Sequence, residues 1–250
     1  MAINVNTVYT TVLSILNKEQ RGYITPEEFN KLGTQVQLEI FENYFEDLNQ
    51  QLRVPQTDSE YANRRKNIDN CISIFKTVGN TTYDTSGGYF LPPSDLHRIG
   101  TVIYKDEKEL QRVERNEFLN INLSPLTKPT TQFPVYLYEQ TVQGTGGANT
   151  GETHIFVKPT TITSASDITV SYIRKPNNVN WGYQQLGGGT WTSGPYIYNP
   201  ATSTQFELDN TEQAEVILRI LAYAGVVIRD PQIVQAASQA VQSEEVNSKS

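Results

Sequence analysis

Apolar residues in the first eighty positions recur every three or four places, and the longest such run extends from Thr25 to Pro55. Thr25 suits an N-cap, Pro26 suits the first helical position with its missing N–H, and Glu28 follows three residues later to close a capping box. Phe29, Leu32, Val36, Ile40 and Tyr44 then make one stripe, until Pro55 stops the run. The pattern predicts a rod about 40 Å long. At about 100° per residue, Leu38, Phe41, Phe45, Leu48 and Leu52 make a second stripe beside the first. Glu28, Gln35, Glu39, Glu42, Glu46 and Arg53 share the remaining face. A helix so widely apolar predicts cover on two sides, one from this chain and the other from another chain.

The flanking segments repeat the helical spacing. Val5, Val8, Val12 and Leu16 predict a short amphipathic helix ending before Gly22, and Tyr61, Arg65, Ile68, Ile72 and Phe75 predict a third helix before Gly79. Near residue 80 the period changes from helical to alternating. Ile99–Tyr104, Val135–Tyr138, Ile155–Val157 and Ile168–Ile173 are predicted strands, with Ile168, Val170 and Tyr172 on one face of the last. A short helix is expected near Arg115–Leu119. Asp209 and Glu212 then form a second capping box before Val216, Ile217, Ile220, Leu221, Ala224, Val227 and Ile228. Asp230 and Pro231 break that helix and start another, carrying Ile233, Ala237 and Val241. The expected class is α+β: an N-terminal helical hairpin with a long central helix over 1–80, a small antiparallel β-domain with long Gly/Pro loops over 81–205, and a C-terminal helical arm over 206–250.

Composition narrows the function more by exclusion than by signature. The chain has 250 residues and a net charge of −7, which argues against electrostatic capture of nucleic-acid phosphates. The run Arg64, Arg65, Lys66 has Asp58, Glu60 and Asp69 nearby and reads as a solvated face. No stretch approaches the roughly 18 apolar residues of a membrane span, and the first twenty residues lack a secretory pattern. The expectation is a soluble protein made in a cytoplasm. Cys71 is the one cysteine, so no intrachain disulfide forms, and it reads as a buried small hydrophobe.

No chemical constellation emerges. His97 and His154 lack the spaced partners of a metal site, the paired carboxylates Glu27/Glu28, Asp106/Glu107 and Glu244/Glu245 do not converge, and no G-x-S-x-G motif occurs. The Gly-rich stretches Gln143–Gly151 and Leu186–Gly194 lack the helix that a phosphate cradle opens, and read as hairpin tips. No catalytic residue, cofactor or metal is expected. Trp181, Trp191, Tyr183, Tyr196 and Tyr198 cluster in a Gly-, Asn- and Pro-rich stretch, suiting a protein contact or, alternatively, a receptor- or carbohydrate-binding surface over 181–198.

Ser171–Trp181 (SYIRKPNNVNW) and Phe206–Ser238 (FELDNTEQAEVILRILAYAGVVIRDPQIVQAAS) resemble the head-to-tail adaptor or ring proteins of short-tailed bacteriophages, including the crAss-like phages. The segments QRGYITPEEFNKLGTQVQLEIFENYF and NEFLNINLSPLTKPTTQFPVYLYEQ resemble the same family. The resemblance implies a non-enzymatic virion protein of the head–tail neck. It would form a ring of about twelve copies, dock on the portal protein, meet other neck or tail rings, and let double-stranded DNA pass without specific binding. It further implies that a C-terminal extension grips the portal. The expected contact residues are Ile217, Ile220, Leu221, Val227, Ile228 and Ile233 on the C-terminal helices, with Trp181, Trp191 and Tyr196 on the aromatic stretch.

Overall fold

The computed structural model describes residues 2–18, 23–53, 59–140, 153–185, 196–228 and 235–243. In chain order the elements are α1 (Val5–Lys18), α2 (Pro26–Arg53), α3 (Ser59–Ser73), β1 (Lys76–Asn80), β2 (Thr82–Asp84), β3 (Tyr89–Leu91), β4 (Leu96–Tyr104), β5 (Lys108–Glu109), β6 (Gln111–Arg112), α4 (Arg115–Asn120), β7 (Val135–Gln140), β8 (Thr153–Lys158), β9 (Ile168–Arg174), β10 (Tyr183–Gln185), β11 (Tyr196–Tyr198) and α5 (Gln213–Ile228). A further helix, α6, covers 235–243. The class is α+β. Contacts divide the chain into a helical unit, residues 1–74 with 176–250, and a β unit, residues 75–175. Residues 176–205, placed by sequence with the β-rich region, thus belong to the unit that holds α1, α2, α3 and α5.

The helical unit starts as its caps dictate. Asn4 Oδ1 accepts from the amides of Asn6 (2.8 Å) and Thr7 (3.2 Å), and Val5, Val8, Val12 and Leu16 of α1 are buried. At α2 the capping box is made in full: the Thr25 amide donates to Glu28 Oε2 (2.9 Å), and the Glu28 amide donates to Thr25 Oγ1 (3.3 Å). Helix α2 packs against α3 and α5, and α1 packs against α5. Tyr223 of α5 donates to the Glu39 carboxylate of α2, and Arg219 lies 3.8 Å from the same group. At α5 the sequence expectation shifts by one turn. Asp209 caps a 3₁₀ turn over Asn210–Glu212, accepting from the Thr211 amide (3.3 Å), and the α-helix begins at Gln213.

One expectation is corrected in part here. Phe29, Val36, Ile40 and Tyr44 of the first stripe of α2 are buried within this chain, and so are Phe41 and Phe45 of the second. Leu32, Leu38 and Leu48 are half-buried, while the side chain of Leu52 lies outside the described residues. Phe41 and Phe45 of the second side therefore take their cover from within this chain.

Part of that cover is an extended strand that the apolar pattern does not show. Asn30, Thr34 and Gln37 lie on one face of α2 and bind the backbone of alternate residues in 177–181. The Trp181 amide donates to Asn30 Oδ1 (2.6 Å), the Val179 amide donates to Thr34 Oγ1 (3.1 Å), and Gln37 Nε2 donates to the Asn177 carbonyl (2.7 Å). Gln37 Oε1 also accepts from the Glu207 amide (2.8 Å). Three polar side chains thus act as a substitute strand edge on one side of the segment, whose other side bridges through Asn180 to the Thr204 backbone (3.2 and 2.8 Å). Gly33 lies within this face, where a Cβ would stand 3.2 Å from the buried Phe206 ring, so the glycine sets how closely 206 approaches.

The β unit is two sheets sharing one core. Strands β1-β9-β4-β5 form an antiparallel sheet, and β2-β3-β8-β7-β6 form a second in which only the β6–β7 pair is parallel. Phe90, Tyr136, Ile155 and Val157 from the second sheet meet Val102, Tyr104, Ile168, Val170 and Tyr172 from the first in one buried cluster. The alternation read along β9 is realised in that cluster. Gly100 sits at an irregularity between β4 and β9, where a Cβ would come 2.8 Å from the Ser171 carbonyl oxygen. The outer face of β7 is also buried, since Val135 and Leu137 pack with Val113 under Phe118 of α4.

Candidate functional site

Of the residues nominated by sequence for partner contact whose side chains are described, Ile220, Leu221 and Trp181 are buried, Ile217 is half-buried and Tyr196 is exposed. On α5, Val216, Ile220, Leu221 and Ala224 are buried among the helices and Ile217 is half-buried. A helix seated between α1 and α2 spends its apolar face on the bundle, so Ile220 and Leu221 are core residues of this chain and α5 is not a free arm. The backbone of Val227 and Ile228 is helical, but their side chains, like Ile233 and Trp191 entirely, lie outside the described residues. The Gly-rich stretches 143–151 and 186–194 lie outside them as well.

Trp181 needs the same correction. It is 4% exposed, with ring centroids 4.4 Å from Tyr9, 5.7 Å from Tyr198 and 6.0 Å from Tyr183. Its Nε1 donates to Asn6 Oδ1 at 3.0 Å. A tryptophan with both its faces and its N–H engaged inside the chain offers no flat platform to a sugar. Among the described residues of this stretch, Tyr196, which meets Tyr183 edge-on (4.9 Å), and Ile197 are exposed, while Tyr183 and Tyr198 are half-buried.

The remaining candidates for chemistry are equally quiet. His154 is buried with its ring stacked 4.0 Å from Tyr89. His97 is half-buried, and among the described residues no group of three or more His, Cys, Asp or Glu converges as metal ligands would. Cys71 is half-buried rather than fully buried. Desolvation raises its thiol pKa, with Glu212 and Asp209 adding to the effect, which disfavours the nucleophilic thiolate.

The surface that stands out was not nominated. Between α4 and β7, Leu119, Leu123, Leu126 and Phe133 are 58, 80, 96 and 81% exposed. Each exposed leucine or phenylalanine forgoes about 1.5–3 kcal/mol of burial, and four such side chains within fifteen residues are a candidate contact surface. The segment is stitched into shape by its own bonds. The Leu123 amide donates to the Asn120 carbonyl (3.0 Å), the Lys128 amide to the Ser124 carbonyl (3.1 Å), and Thr127 Oγ1 to the Ile121 carbonyl (3.2 Å). Its base is pinned by Lys158, whose ammonium lies 4.2 Å from the Phe118 ring centre and donates to the Phe118 carbonyl at 3.3 Å. Burial lowers that lysine's pKa. The apolar tips are thereby held outward. Their sequence signal was faint, because leucines separated by Ser, Pro and Thr follow no helical or strand period.

At the other end of the β unit lies a cavity of about 750 Å³. Leu91, Pro92, Pro93, Leu96 and Tyr138 supply its apolar wall; Asn80, Thr82, Ser94, His97 and Thr153 supply polar groups. Tyr138 is fixed by a hydrogen bond from Thr153 Oγ1 (2.7 Å).

No protein-family model matches the chain, and no curated protein matches it. Among the described residues, no helix is long and apolar enough to cross a membrane.

Proposed function

We propose that this chain is a structural subunit of a bacteriophage head–tail neck, forming a ring that docks on the portal protein and continues the DNA channel toward the tail. The observation that carries a contact role is the ordered apolar segment with Leu123 and Leu126 almost fully exposed. The phage resemblance at Ser171–Trp181 and Phe206–Ser238 supplies the kind of assembly. In this reading the helical hairpin and long central helix give each subunit a rigid body, and the β unit carries the contact segment to a neighbouring protein. A net charge of −7 leaves passing double-stranded DNA unheld, since few counterion-releasing contacts are on offer.

Native mass spectrometry of the full chain, alone and mixed with its cognate portal protein, tests the proposal. The expected result is a closed multi-copy assembly that stays on the portal. A monomer with no affinity for the portal overturns it.

A further inference from the structure

The contact segment and the cavity sit at opposite ends of the same two strands. In the β7–β8 ladder Val135 pairs with Lys158 at the end where the apolar segment arrives, and Gln140 pairs with Thr153 at the end where the cavity opens. At about 3.3 Å per residue these ends are roughly 17 Å apart. Neither feature can fill the other within one copy.

We infer that Leu123 and Leu126 of one copy enter the cavity walled by Leu91, Pro92, Pro93, Leu96 and Tyr138 of the next, making a head-to-tail contact between β units. The occupant is a second copy because both halves of the contact are carried by one chain on different surfaces, which is the requirement for a heterologous interface. The cavity volume falls in the range of about 300–1,000 Å³ that encloses a compact ligand, enough for two leucine side chains and the chain between them. Among the described residues lining it none is Asp, Glu, Lys or Arg, so inserting leucine strands no charge.

This inference rests on the ring reading in requiring several copies, and it names the surfaces. The test is sedimentation and native mass spectrometry of the full chain as wild type, as Leu123→Asp/Leu126→Asp, as Ser94→Trp, and as an equimolar mixture of the two variants. Ser94 and Leu126 are exposed, so folding should survive, which circular dichroism checks. A milder Leu126→Ser variant covers any misfolding of the charged one. Wild type is expected to grow with concentration beyond a dimer. Each variant alone should associate at least ~100-fold more weakly, given the burial two leucines lose. The mixture should stop at a 1:1 dimer, because the chain without knobs keeps its cavity and the chain with a plugged cavity keeps its knobs. Variants that assemble like wild type, or a mixture that gives no dimer, overturn the contact while leaving the ring reading intact. A wild type that stays monomeric with and without portal protein removes both.

Discussion

Asn30 and Trp181, which are 151 residues apart, are joined by a 2.6 Å hydrogen bond in the helical unit, whereas the β unit closes entirely within residues 75–175. The two units also join their parts by different means. The β unit uses strand ladders and a core drawn from alternating positions, so its apolar pattern and its packing coincide. The helical unit adds a polar seam, in which Asn30, Thr34 and Gln37, polar positions beside the second apolar stripe, receive the 177–181 backbone. Apolar periodicity therefore locates elements in both units but describes closure in only one. Their surfaces differ in the reverse sense, since Ile220, Leu221 and Trp181 of the helical unit are hidden and the β unit holds Leu123 and Leu126 outward.

The strongest challenge to this contrast is Phe41→Ala. If the second stripe of α2 is covered by this chain alone, truncating a fully buried phenylalanine costs about 3–5 kcal/mol in thermal or denaturant unfolding. A cost near that of a surface substitution would return the stripe to an external partner. Next comes Gln37→Ala, which leaves the Asn177 carbonyl and the Glu207 amide without this partner. The expected loss is about 1–3 kcal/mol, with faster hydrogen exchange at Glu207. Unchanged exchange would reduce the seam to an incidental contact.

The smallest effect is expected at the start of α2. The Thr25 amide, then its hydroxyl, hold the Glu28 carboxyl below the usual carboxylate range. A lowered folded-state value means that the contribution is complete above the unfolded pKa of about 4.3 and is lost as pH falls through the lower folded one. Glu28→Gln should therefore cost about 0.3–1.5 kcal/mol near neutrality, and the gap from wild type should close in acid. A gap that stays constant with pH would assign the effect to packing.

What could be read in advance follows from which interactions repeat. The caps at Thr25 and Asp209, the stripes of α1 and α2, and the alternation of β9 are periodic or local, and each appears in the structure. Strands β1, β2 and β3 were missed. Their run from Lys76 to Leu91 is short and interrupted, and its turn depends on Gly88 at a φ of +67° and on the Asp84 carboxylate accepting from the Ser86 amide. Trp181 looked like a surface aromatic because its sequence neighbours are Gly, Asn and Pro. Its true neighbours, Tyr9 and Asn6, come from the far end of the chain. The exposed leucines were legible only as residues; that no described residue covers them is a fact of the fold.

The split make-up of the helical unit sets an order of events on the ribosome. Helix α2 emerges long before the segment that bonds to Asn30, Thr34 and Gln37, and at typical elongation rates of about 5–20 residues per second the wait is on the order of 10 s. The β unit, complete in between, is free to fold first. A newborn chain thus carries an oily rod with its lid still unwritten, and timely translation of the last third becomes part of what keeps that rod from meeting the wrong neighbour.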